Sequence, residues 1–387
     1  MKTYNRLPVN FEHGEGSYLY DTEGKKYLDA ISGIAVCALG HSHPVFIRAV
    51  QDQVARLVHT SNVYGIPLQA RLAKNLSHAS GMDKAFFCNS GAEANEAAIK
   101  LARMFGHNKG IDVPTIIVTE GGFHGRTMGA LTATHSNRHQ DGFSPFLEGF
   151  VRVPYNDVEA VKTAVADNPN IVAILLEPVQ GETGICVPAQ DYLNQLREIC
   201  DSNDMLLMLD EVQTGNGRTG QYFACQHNNV LPDVISTAKG LGNGFPIGAC
   251  LASGKAGDIF QPGHHATTFG GSPLACAAAL AVNQVIIEEG LVENARNMGS
   301  KLLSGFNDLL SSCDHVKDIR GLGLMIGIEL DSPCTELVLE ALQVGLLINV
   351  ANSNVVRLVP PLNINDEEAD IILETTSRLI KDFGNDN

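Results

Sequence analysis

Short, unbroken apolar runs punctuate the chain at 85–88, 115–119, 171–176, 206–209, 234–237 and 249–252. They are strand-sized and apolar at consecutive positions, the pattern of a parallel sheet covered on both faces. Helix candidates lie among them at 92–105, 158–166 and 189–202. This alternation predicts an α/β sheet domain. Ahead of it, 17–20 and 26–29 flank Thr22-Glu23-Gly24-Lys25 and predict a β-hairpin. After Pro273 the pattern changes. Residues 274–289 predict a nearly all-apolar helix, 291–310 a second helix, and 316–330 a strand-like stretch. Residues 364–383 predict an amphipathic helix capped by Asn365, with Glu368 three positions on. The change of pattern puts a domain boundary near residue 275.

Composition narrows the function classes. The 387 residues carry 27 Lys plus Arg against 43 Asp plus Glu, a formal net charge of −16, so no nucleic-acid partner is expected. Hydrophobic residues make up 44% and charged ones 18%, which excludes wholesale disorder. No apolar run approaches a membrane span, and Met1-Lys2-Thr3-Tyr4 lacks the apolar core of a secretory leader. The nine cysteines contain no Cys-x-x-Cys, and Cys88, Cys200 and Cys250 sit in apolar runs. They read as reduced, buried thiols of a cytoplasmic protein. His41-Ser42-His43-Pro44 and His264-His265 lack the His-Glu-x-x-His pattern, so no metal site is expected.

Four motifs carry candidate chemistry. Asn89-Ser90-Gly91-Ala92-Glu93 stands between a strand and a helix, where unpaired amides suit a phosphate. Ser90 with Glu93 also fits an ordinary capping box. The run 206–209 ends in Asp210, which puts a carboxylate at the carboxyl edge of the sheet, where open α/β folds bind ligands. There it holds a cationic group of a cofactor or a metal, or serves as a turn residue. Lys239 follows a strand and precedes the glycine-rich 240–244. Desolvated, such a lysine loses its proton and attacks a carbonyl; otherwise it is a solvated surface lysine. Gly121-Gly122-Phe123-His124-Gly125-Arg126 offers an aromatic face beside an arginine fork that suits a carboxylate, or a plain turn with a solvated arginine. Gly215-Asn216-Gly217-Arg218-Thr219-Gly220 fits G-x-G-x-x-G, but it starts five residues past Asp210 and opens no clear helix. A nicotinamide dehydrogenase is the rival reading it would support.

In this order the motifs resemble the class III, or ω-amino acid, aminotransferases. The likeness extends from Gly33-Ile34-Ala35-Val36 and Gly40-His41-Ser42-His43-Pro44, through Asn89-Ser90-Gly91-Ala92-Glu93-Ala94-Asn95-Glu96, Asp210-Glu211-Val212-Gln213-Thr214-Gly215 and Lys239-Gly240, to Arg357-Leu358-Val359-Pro360-Pro361. The resemblance implies the type I fold of pyridoxal-phosphate enzymes, a large, mainly parallel-sheet domain plus a small α+β domain. It divides the chain into an N-terminal segment at 1–54 that joins the small domain, the large cofactor-binding domain at 55–275, and the small domain at 276–387. It also implies pyridoxal 5′-phosphate as cofactor and a cytoplasmic homodimer with shared active sites, handling small amino and keto acids. By the same resemblance, Lys239 attaches the cofactor aldehyde and shuttles a proton, and Asp210 keeps the pyridine nitrogen protonated. Val212 and Phe123 cover the two ring faces, and Gln213 bonds the phenolic oxygen. Gly91 and Ala92 bind the phosphate, joined by Thr268 of the partner subunit. Arg126 and Thr267 contact substrate, Arg357 receives the α-carboxylate of glutamate or 2-oxoglutarate, and Glu182 masks Arg357 when the amine substrate occupies the site.

The implied reaction moves the terminal amino group of N2-acetylornithine to 2-oxoglutarate, in arginine biosynthesis. Ornithine, succinylornithine, succinyldiaminopimelate and 4-aminobutyrate are the other donors that the same half-reactions allow. Cys37, Ser272, Asn216 and Gln221 depart from common choices of the family.

Overall fold

The computed structural model describes residues 1–135 and 140–385. Strands β1 (Phe11–Glu15), β2 (Tyr18–Asp21) and β3 (Lys26–Asp29) form an antiparallel meander that includes the expected hairpin. Helices α1 (Pro44–Val54) and α2 (Pro67–Ser80) each begin with proline, whose missing N–H is no loss in a first turn. The chain then alternates through β4 (Lys84–Cys88), α3 (Gly91–Asn108), β5 (Thr115–Thr119), α4 (Met128–Ala133) and β6 (Phe150–Val153). It continues with α5 (Val158–Asp167), β7 (Ile171–Leu176), α6 (Tyr192–Ser202), β8 (Leu206–Asp210), β9 (Val234–Thr237) and β10 (Gly248–Ala252).

Among the described residues these strands make one sheet in the order β4-β10-β9-β8-β7-β5-β6. The pairs from β9 to β6 are parallel, whereas β10 runs antiparallel to both β9 and β4. The reversal follows from the connection: 238–247 holds only a short helical turn, and a parallel return needs a longer crossover. Every residue of β5, β7, β8, β9 and β10 is buried, which is why their sequences are apolar at consecutive positions, with polar residues mainly at strand ends.

Helix α7 (Pro273–Glu288) is buried on nearly every side against α1 and α2, and α8 (Leu291–Leu310) is amphipathic. Ser272 caps α7 by accepting from the Ala275 amide. Serine and asparagine are comparable N-caps, so this departure from the family habit leaves the cap intact. The stretch expected to be strand-like at 316–330 is a hairpin of β11 (Val316–Leu322) and β12 (Met325–Leu330). Gly323 turns it with φ +57°, pressed against the Arg218-Thr219 backbone, so neither the angle nor the space suits a side chain. The chain ends with α9 (Leu337–Gln343), β13 (Leu346–Leu347), β14 (Asn349–Ala351), β15 (Val355–Leu358) and α10 (Asp366–Asn385). Strand β13 pairs in parallel with β3, so the chain's C-terminal part completes the N-terminal sheet. Asn365 and Glu368 cap α10 reciprocally, each amide donating to the other side chain at 3.0 Å.

Asp29, at the end of β3, anchors the next loop. It accepts from the amides of Ile31 and Ser32 and pairs with His41 Nε2 at 2.9 Å. Burial alone would lower the His41 pKa, but its bonds to Asp29 and Cys37 raise it to about 9. A raised histidine pKa stabilises the fold fully below the unfolded value, and that contribution fades as pH rises through the folded value. His41→Gln should therefore depress the Tm most near about pH 6 and progressively less toward about pH 10. A Tm difference that is constant across that interval would contradict a charged His41–Asp29 pair.

Candidate active site

A cavity of about 400 Å³ lies at the carboxyl edge of the central sheet. Three adjacent strands each deliver one ionisable group: Glu177 directly after β7, Asp210 at the end of β8, and Lys239 just past β9. The start of α3 contributes Asn89, Ser90, Gly91, Ala92 and Asn95. The loop after β5 contributes Phe123, His124 and Arg126, and Val212 and Gln213 follow Asp210.

Asp210 is only 3% exposed, yet it is well provided with donors. Its Oδ2 accepts from Asn95 Nδ2 and from His124 Nδ1, both at 2.7 Å, and its Oδ1 accepts from the Val212 amide at 3.0 Å. Burial would lower the His124 pKa, but the Asp210 carboxylate raises it overall. Glu177 is also buried, with Oε1 accepting from Phe123 N at 2.9 Å and Oε2 from Gly181 N at 3.2 Å. Burial, and then the neighbouring Asp210 charge, push its pKa up to about 7.

Lys239 is partly exposed to the cavity it lines. The surrounding protein lowers its pKa by desolvation; Glu182 opposes that shift and Arg357 adds to it. Its φ of +45° is left-handed, which costs a non-glycine residue about 1–3 kcal/mol and persists only where neighbours impose it. Asn216 is one such neighbour, donating from Nδ2 to Thr237 Oγ1 at 3.0 Å and to Ala238 O at 3.3 Å. The glycine run that contains Asn216 opens no dinucleotide-type helix; a short helical turn, Ala224–Asn228, follows it.

At the start of α3 both readings of the motif coexist. Ser90 Oγ accepts from Glu93 N at 3.2 Å, an ordinary N-cap, and Glu93 Oε2 accepts from the amide of Asn89, one residue before the cap, at 2.6 Å, so the strict box is shifted by one residue. The amides of Gly91 and Ala92, which have no carbonyl within the helix, line the cavity. A Cβ on Gly91 would lie 2.7 Å from Val212 Cγ1.

The remaining sequence candidates lie around this centre. Arg126 is exposed at the cavity wall, its guanidinium carbon 5.4 Å from the Phe123 ring centroid. Arg357, on β15, is 2% exposed and donates from Nη1 to Glu182 Oε1 at 2.8 Å and to Gly181 O at 3.1 Å. Asn349 Oδ1 accepts from its Nε and Nη2. This pair adjoins the cavity through Gly181, where a Cβ would meet the Gln213 amide. Thr267 and Thr268 line a neighbouring hollow, and Thr267 Oγ1 accepts from Asn89 Nδ2 at 3.2 Å. Sequence reasoning assigned no role to Glu177, His124 or Asn95. Glu177 carries the signal that marked Asp210, an acidic residue ending an apolar strand; His124 and Asn95 matter only through contacts to Asp210 from far along the chain.

With this geometry in view, the chain belongs to the class-III aminotransferase family, whose profile matches residues 1–380. It is 58% identical to the acetylornithine aminotransferase of Nitrosomonas europaea over 383 residues, 99% of this chain and 98% of that protein. Among solved structures, the ornithine aminotransferase of Toxoplasma gondii superposes with a TM-score of 0.96 at 32% identity, over 100% of this chain and 93% of that one. The acetylornithine aminotransferase of Elizabethkingia anophelis superposes with a TM-score of 0.88 at 35% identity, over 99% and 96%.

The cofactor of this class is pyridoxal 5′-phosphate, and the cavity's donor set fits it. A buried carboxylate faces a slot bordered by Val212 and Phe123, and helix amides suited to a phosphate stand at its edge. The cavity-lining Gln213 keeps Oε1 buried with no partner among the described residues, free for a ligand. Gly91→Ala should push Val212 into the slot and lower the cofactor retained after gel filtration by about tenfold, with the fold intact by circular dichroism. Wild-type cofactor content in that variant would contradict the tight packing of Gly91 on Val212.

Proposed function

We propose that this chain transfers the terminal amino group of N2-acetylornithine to 2-oxoglutarate, giving N-acetylglutamate semialdehyde and glutamate, as a step of arginine biosynthesis. The observation that carries the substrate reading is the Arg357–Glu182 ion pair beside the cavity, 2.8 Å long with Arg357 buried. One pocket must accept a donor that presents an amine and then an acceptor that presents a carboxylate. An arginine masked by a mobile carboxylate changes the charge the pocket offers between the two. The name shared by relatives at 50% and 58% identity supports the same reading.

Bound pyridoxal phosphate supplies an aldehyde that takes up and releases amino groups and a ring that draws electrons from the reacting carbon. The protein supplies everything else. Lys239, its pKa lowered by burial, is the residue that would hold the cofactor's aldehyde end and would move the proton at the substrate's amine-bearing carbon. Asp210 holds a proton on the pyridine nitrogen, itself held in place by Asn95, His124 and the Val212 amide. Val212 and Phe123 confine the ring, Gln213 bonds its phenolic oxygen, and the Gly91 and Ala92 amides bind the phosphate. Arg126 binds the α-carboxylate of the amine donor, beside Thr267.

We assign the chain to a cytoplasmic homodimer in which Thr268 reaches the phosphate of the partner's site. Exposed apolar residues Val58, Val63, Tyr64 and Phe269 near the Thr267–Thr268 hollow support that pairing. The division into 1–54, 55–275 and 276–387 is part of the same proposal, supported by the β3–β13 pairing.

Steady-state rates with acetylornithine, ornithine, succinylornithine, succinyldiaminopimelate and 4-aminobutyrate test the donor. Acetylornithine should give the highest kcat/KM, and a preference for unacylated ornithine or 4-aminobutyrate would overturn the choice. Lys239→Ala should bring transamination to background while cofactor still binds, and undiminished turnover would refute its role. Asp210→Asn should slow turnover by about 10²-fold or more, and a wild-type rate would contradict its hold on the ring nitrogen.

A further inference from the structure

Glu177 is buried in the cavity wall and has no part in the chemistry above. Each of its oxygens takes a backbone amide from a different loop, Phe123 N at 2.9 Å and Gly181 N at 3.2 Å. The first loop carries Phe123 and Arg126, and the second carries Glu182. The carbonyl of Gly181 in turn accepts from Arg357 Nη1 at 3.1 Å, the nitrogen that also reaches Glu182. Gln213 packs so closely on Gly181 that a Cβ there would collide with it. Gly181 is therefore pinned by its amide nitrogen to Glu177, by its carbonyl oxygen to Arg357, and from the side by Gln213.

We propose that Glu177 is a positioning residue that keeps Gly181 fixed against Arg357, so that Glu182 swings aside while the loop stays in place, and that it thereby sets the affinity for carboxylate-bearing keto acids. The proposal rests on the reading of Arg357 as a substrate-carboxylate receptor. A carboxylate accepts at both oxygens. A glutamine must turn its NH2 toward one of the two amides and loses that bond, and a carboxylic acid keeps only a weaker hydroxyl acceptor at one oxygen. The groups that face Glu177 are Asp210, His124, Tyr155 and Lys239. Because burial and Asp210 hold Glu177 near neutrality, at about 7, proton uptake there loosens the clamp in the native protein. Dicarboxylate binding should therefore weaken as pH falls through that range.

The test uses the cofactor-loaded enzyme and glutarate, an unreactive dicarboxylate, with calorimetric binding between about pH 6 and 8.5. In Glu177→Gln, the glutarate Kd at the upper pH and the KM for 2-oxoglutarate should each rise about tenfold, while the KM for the amine donor changes less than about threefold. The wild-type Kd should rise toward low pH and the variant's should stay flat. Wild-type affinity with wild-type pH dependence in the variant would overturn the proposal. Should the variant fail to fold, the native titration decides alone: a Kd that rises toward low pH supports the clamp, and a flat profile overturns it. Arg357→Ala separates the two layers. Intact glutarate binding in that variant refutes the carboxylate receptor itself, whereas a failed donor panel leaves the glutarate result untouched.

Discussion

An ammonium removed from water is costly unless a carboxylate pairs with it, and among the described residues no salt bridge pairs Lys239 with one. Desolvation lowers the lysine's pKa and so eases loss of the proton, the condition under which a lysine serves as nucleophile and base. The rest of the site depends on this condition. The lysine must sit at the mouth of a buried sheet, close enough to Glu182, Arg357, Glu177 and Asp210 to feel their charges. The left-handed φ of Lys239 and the Asn216 amide beneath it show that the backbone is held there against its own preference.

Sheet order supplies the rest of the geometry. Strands β7, β8 and β9 are neighbours and parallel, so their carboxyl ends open on one cavity and bring Glu177, Asp210 and Lys239 together from positions far apart in the chain. The helix α3 opens on the same cavity with its first amides. The C-terminal part reaches the site by another route, through Arg357 on β15 and its bonds to the Gly181-Glu182 loop. Two sheets therefore share one charge network.

Much of this architecture was legible in the chain, for identifiable reasons. Strands β5, β7, β8 and β9 are covered on both faces, so burial wrote itself into unbroken apolar runs. Strand β13 is only 2 residues long and depends on the edge of β3, so it leaves no readable pattern; helix α1 is amphipathic and opens with a proline, a signal the chain does carry. The hairpin at 316–330 was hidden because Gly323 turns the chain where both flanks are apolar. Lys239 and Asp210 stood out by their place after strands. Glu177 has the same place but precedes Pro178 and reads as a turn, while Asn95 and His124 act through contacts that sequence spacing does not show. Thr267, which the resemblance ties to the substrate, lines the adjoining hollow and accepts from the cavity-lining Asn89.

The most direct check on a deprotonated, cofactor-bearing Lys239 is borohydride reduction of the pyridoxal-phosphate-loaded protein, followed by peptide mass spectrometry. The account predicts a stable pyridoxyl mass on the peptide that contains Lys239 and on no other lysine. A label on a different lysine, or loaded protein that takes up none, would contradict it.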